Sequence, residues 1–174
     1  MSELIVRCAR KEDGPVLEKL WAEFLEEQTQ FDPRMGCAVD AVERWKNDFP
    51  LWLRSDERRM FVAERFGRTI GFTSAQIWWP PPIYAPVMEA YITEIYVVPA
   101  ERLTAVGSLL INAVKAWAGE FDVVRLRLNV LDANEEGLHF WTKMKAQPFS
   151  TTLTIELGRR GLDTQEIIKP KFGF

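Results

Sequence analysis

The chain has little with which to build a metal centre. It contains one histidine, His139, and two cysteines, Cys8 and Cys37, which lack the Cys-x-x-Cys spacing of a metal or redox site. The expectation is a protein without a metal. No stretch approaches the 18 or so uncharged apolar residues of a membrane span, and the start MSELIVRCARKED has no basic segment followed by a long apolar one. That points to a reducing, cytoplasmic setting and no membrane partner. A net charge of −3 and a pI near 5.4 argue against nucleic acid as the main ligand. The pairs Arg58/Arg59 and Arg159/Arg160 then read as solvated surface charge. Tyrosine is scarce as well, and none follows Tyr96.

What is present suffices for one domain. Of 174 residues, 47% are hydrophobic, enough for a core. The expected boundaries are 1–158 for the domain and 159–174 for a tail, for which a terminal strand, a dimer arm and a disordered end stay open. LIVRCA (4–9) reads as a strand. The helix after it places Leu17, Leu20, Trp21, Phe24 and Leu25 on one face, with Asp13 as its cap and Pro15 in its first turn. VDAVERWKNDFPLWLRS predicts a second helix interrupted at Pro50. Two β-rich runs flank Phe66-Gly67-Arg68, a hairpin signal, and WWPPPIYAP must be a loop because consecutive prolines donate no ladder hydrogen bonds. MEAYITEIYVV (88–98) resumes as a strand, and a helix from about Ala105 carries Val106, Leu109, Leu110, Ala113, Val114 and Trp117 on one face. Residues 123–131 predict a strand, 134–146 a helix and 150–157 a last strand. The order is β-α-α-β-β-β-α-β-α-β, an α/β fold with a mixed central sheet and helices on both faces.

VVPAERLTAVGSLL (97–110) is where chemistry enters. A strand stops at Pro99 and a helix begins, leaving helix N-terminal amides without intrahelical partners and a partial positive charge suited to phosphate. Arg102-Leu103-Thr104-Ala105-Val106-Gly107 resembles the R/Q-x-x-G-x-G/A pyrophosphate loop of the GCN5-related N-acetyltransferase (GNAT) superfamily. The resemblance extends to Val97, Pro99 and Arg102 as V-x-P-x-x-R. It also takes in Arg7, Ala9 and Asp13 near the start, the ERFGRTIGF hairpin, and Asn134, Gly137, Phe140 and Trp141 as N-x-x-G-x-x-F-W. Ala105 departs from the pattern, and its Cβ is tolerated where its φ is negative.

The resemblance implies a GNAT-like fold and acetyl-CoA as acyl donor, with transfer to a primary amine of a small molecule or peptide in a direct ternary complex. It implies coenzyme A contacts at Tyr96, Val97, Val98, Arg102, Leu103, Thr104, Ala105, Val106, Gly107, Ser108, Asn134 and Phe140. Glu94 takes the place of the family's general base. Strict strand alternation would set it on one face with Ile92, Tyr96 and Val98, among apolar side chains that make a carboxylate a stronger base. A solvent-facing Glu94, or one paired with Arg125 or Arg127, is the alternative. Trp141 stands where relatives carry a tyrosine acid. Its indole N–H can hydrogen-bond a thiolate but does not give up its proton, and a plain core tryptophan is the other reading. Asn134 reads equally as a helix N-cap, and His139 as surface. For the acceptor, Trp78, Trp79 and Tyr84 offer stacking and Asp32 or Glu89 a counter-charge for an amine, or these residues cover a sheet edge or make a homodimer contact. Two rival functions stay open: a CoA-binding or sensing module without turnover, favoured by Ala105 and Trp141, and an interaction domain using its WWPPPIY loop.

Overall fold

A computed structural model describes residues 4–81, 83 and 87–156. Five strands form one sheet in chain order: β1 (Leu4–Cys8), β2 (Arg58–Arg65), β3 (Arg68–Trp78), β4 (Glu89–Val97) and β5 (Arg125–Arg127). The first four are antiparallel, and β5 joins β4 in parallel after a helical crossover. The hairpin between β2 and β3 turns on Phe66 and Gly67, both at positive φ (51° and 72°), which suits the twist of the flanking strands. That turn needs the conformational freedom of Gly67.

Helices α1 (Gly14–Phe31) and α2 (Ala41–Trp52) cover one face. There Leu17, Leu20, Trp45 and Phe49 pack on Met60, Val62, Phe72 and Tyr96. Helices α3 (Val106–Gly119) and α4 (Glu135–Lys143) supply the other core, where Val106, Leu110, Ile111, Val114, Trp117 and Trp141 meet Phe61, Ala63, Ala75, Ala90 and Ile92.

Local readings change in four places. Pro50 does not interrupt α2, which runs on to Trp52; so near the C-terminus the missing N–H costs only one hydrogen bond. Asp13 does not cap α1 with its side chain, which instead takes a bidentate pair from Arg7 (2.7 and 2.8 Å) and the N–H of Arg10. The strand expected over 123–131 is reduced to Arg125–Arg127, because only Glu89–Tyr91 of β4 lies alongside it. The last strand does not form over 150–156: β5, its only neighbour at that edge, is too short to template it, and Leu153 and Ile155 are exposed. Residue 157 and the tail 159–174 lie outside the described residues.

Candidate active site

The site begins with an extra residue. Ser74 pairs with Glu94 and Ala75 with Ile92, so Thr93 is a β-bulge in β4. Ahead of the bulge Ala90 and Ile92 face the α3 core; beyond it Tyr96 faces α1 and α2. Glu94 therefore shares a face with Tyr96 but not with Ile92, because the bulge reverses the alternation that the sequence implies. Its neighbours are donors rather than apolar groups. Trp21 Nε1 donates to Oε1 at 3.0 Å and Ser74 Oγ to Oε2 at 2.5 Å, while Thr73 Oγ1 donates to the Glu94 carbonyl. Neither arginine considered for Glu94 reaches it; Arg125 and Arg127 both pair with Glu89. Trp21 and Ser74 were not legible as site residues, since one lies on an apolar helix face and the other inside a strand.

Beyond Tyr91, β4 has no partner on the β5 side among the described residues. Val98 N donates to Ile70 O, so by alternation Ile95 and Val97 turn their N–H and C=O groups to that open edge. The Val97 carbonyl accepts from Arg102 Nε at 3.0 Å. Arg102 also meets Glu27 of α1 at 2.5 Å and Glu136 of α4 at 3.5 Å, and lies 5.6 Å from the centre of the Tyr96 ring. Around it Glu27, Gln30, Phe31, Ala133 and Glu135 line a cleft of ≈ 310 Å³. Tyr96 donates to Glu23 at 3.0 Å, and burial, then Glu23, pushes its phenol above the usual range.

The loop into α3 has one strained residue. Leu103 sits at φ 58° and is 98% exposed, a conformation that costs a branched residue about 1–2 kcal/mol. Ala105 lies at φ −78°, so its Cβ causes no backbone strain. Thr104 Oγ1 donates to the Glu101 carbonyl and accepts a long contact of 3.4 Å from the N–H of Val106. Gly107 allows α4 to approach: a Cβ there would lie 3.0 Å from the Phe140 ring. Ser108 follows in the first turn of α3.

Asn134 is the N-cap of α4, its Oδ1 accepting from Gly137 N at 2.7 Å. Phe140 and Trp141 meet edge to face at 4.9 Å, and Trp141 is buried in the α3 core. On the acceptor side, Asp32 is held by its neighbour Arg34, whose guanidinium lowers the carboxyl pKa to about 2. Glu89 is buried between Arg125 (2.6 Å) and Arg127 (3.3 Å). Both carboxylates expected to meet an amine are thus taken by arginines. Trp78 stacks under Arg127, Trp79 is exposed, and Tyr84 lies outside the described residues.

The sequence model of the acetyltransferase (GNAT) family matches residues 16–145. The chain belongs to that family. Among solved structures it is similar to a tetramutant of the BH1408 protein from Bacillus halodurans (TM-score 0.77, 17% identity, covering 88% of this chain and 99% of that one). It is likewise similar to AAC(6')-Iy in complex with a bisubstrate analog, CoA-S-monomethyl-acetylneamine (TM-score 0.70, 19% identity, 91% and 100% covered). A third is the ribosomal-protein-alanine N-acetyltransferase from Brucella melitensis (TM-score 0.65, 16% identity, 89% and 100% covered). At these identities the structures speak for the fold. No curated protein matches the sequence.

Proposed function

We propose that the protein transfers an acetyl group from acetyl-CoA to a primary amine of a small molecule or peptide, with Glu94 as general base. The observation that carries this reading is a carboxylate held by two neutral donors, Trp21 and Ser74, beside the unpaired edge of β4. An alkylammonium has a pKa of about 10, so the amine must lose a proton before it attacks. Glu94 has no cationic partner within ion-pair distance among the described residues to compete for its charge.

The residues fit coenzyme A. The open edge of β4 at Tyr96, Val97 and Val98 would take the pantetheine, with Asn134 and Phe140 of α4 on the other side. The segment Arg102–Ser108 would take the pyrophosphate, since Ala105 is unstrained and the amides of Gly107 and Ser108 find no acceptor among the described residues. When bound, acetyl-CoA supplies the activated acyl group. The transfer forms one N–C bond, breaks the thioester C–S bond and moves an amine proton through Glu94, while the released thiolate is protonated from water. Ile95 and Val97 offer N–H donors along the edge where the acyl oxygen would lie. Trp141, buried in the α3 core against Phe140, packs behind that ring rather than acting as an acid. The acceptor would approach over the α1 and α2 face, toward Trp78 and Trp79.

The rival reading, binding without turnover, draws on Trp141, whose indole does not give up a proton to the leaving thiolate. One experiment separates the two: titration of the protein with acetyl-CoA, read by tryptophan fluorescence, followed by amine-dependent thiol release. Saturable binding with release on amine addition supports the proposal. Binding without release on any amine supports the rival, and no binding up to millimolar donor removes both.

A further inference from the structure

Resting on the acyltransferase reading, a second feature of the same face bears on the acceptor. Arg58 opens β2 opposite Gln76, and Met60, two residues on, is opposite Ser74, the partner of Glu94. Arg58 and Glu94 therefore point to the same side of the sheet, with backbones about 12 Å apart from ordinary strand spacing and rise. A run of aromatic rings joins them. The Arg58 guanidinium lies 4.4 Å from the centre of the Trp52 ring, Trp52 meets Trp45 edge-on at 6.2 Å, and Trp45 lies 5.9 Å from Trp21, the donor to Glu94.

Two donors along this run lack acceptors. Arg58 Nε and Trp45 Nε1 are shielded from water without a hydrogen-bond partner, and no carboxylate among the described residues lies within 4.0 Å of Arg58. Arg125 and Arg127, also on this face, are by contrast both clamped by Glu89. Arg58 is a half-buried cation fixed against a ring, with Glu94 and Asp48 felt only at longer range; burial lowers its pKa and those two carboxylates raise it. Unpaired donors in such a place are costly unless something brings oxygen atoms to them. We infer that Arg58 binds a carboxylate of the acceptor, so that the substrate is an amino acid whose amine is presented to Glu94 and whose carboxylate is held on the Trp52 platform. A phosphate dianion fits less well, because Glu94 and Asp48 both repel the second charge.

The test uses the full-length protein with acetyl-CoA and a panel of free α-, β- and ω-amino acids, each beside its primary amide, reading thiol release as kcat/KM. The expected result is that at least one free amino acid is preferred over its amide by about tenfold or more. In Arg58→Gln that acid-to-amide ratio falls to within about twofold of one through a raised KM, and Arg58→Lys keeps part of the preference, with unchanged melting temperatures showing that both variants fold. Amides preferred over acids, a preference that survives Arg58→Gln, or an enzyme that binds acetyl-CoA and acetylates none of the free amino acids overturns the inference while leaving the acyl-donor reading standing. Absence of acetyl-CoA binding removes that parent reading itself.

Discussion

Along β4, Glu89–Tyr91 is paired on both sides, by β3 and β5, whereas Ile92–Val97 is paired, among the described residues, by β3 alone. Each half carries one glutamate. Glu89 is buried between two arginines, its charge matched within the fold. Glu94 is met by an indole and a hydroxyl and has no ion-pair partner among the described residues. One strand thus holds a carboxylate matched by arginines and the carboxylate proposed as the base, with the bulge residue Thr93 lying between them. The bulge both turns Glu94 toward α1 and marks where β5 departs.

The sharpest way to break this comparison is Glu94→Gln. Losing the base should cost about 10²–10⁴ in kcat, with little change in melting temperature, because a glutamine can still accept from Trp21. Glu89→Gln should do the reverse. Leaving Arg125 and Arg127 without their buried counter-charge is expected to cost about 3 kcal/mol, seen in urea unfolding. Arg102→Ala should weaken acetyl-CoA binding about tenfold by calorimetry, the size of one lost charge-assisted contact.

Smaller effects probe the frame around the strand. Arg7 holds the Asp13 carboxyl below its usual range, so the pair stabilises the fold above the unfolded carboxyl value of about 4 and that contribution is lost as pH falls below it. In Asp13→Asn the acid-side decline in melting temperature should be shallower than in the parent. At Leu103, replacement by glycine relieves the strain of positive φ but frees the unfolded chain, two opposing terms that leave a net gain of about 0.5 kcal/mol in thermal unfolding.

Much of this was legible in the residues. The Phe66-Gly67 turn, the Arg102–Gly107 loop and the Asn134 cap each depend on local chemistry, and local chemistry is written in sequence. The bulge was not, because Thr93 looks like any strand residue and only the register of β3 reveals it as extra. Consequently the alternation that grouped Glu94 with Ile92 failed, and Trp21, remote in the chain, could not be tied to it. Arg7 and Asp13 matched a motif whose meaning emerged as a bidentate pair joining β1 to the start of α1. The strand expected over 150–157 had the right alternation but needed an edge long enough to pair with, and the brevity of β5 depends on where β4 diverges.

The most direct test of the difference between the two glutamates is kcat, measured side by side for the parent enzyme, Glu94→Gln and Glu89→Gln on one accepted amine, at a temperature where all three are folded. The account predicts that Glu94→Gln is at least about 100-fold slower while Glu89→Gln stays within about threefold of the parent. An undiminished Glu94→Gln would contradict it, and would place the proton acceptor elsewhere.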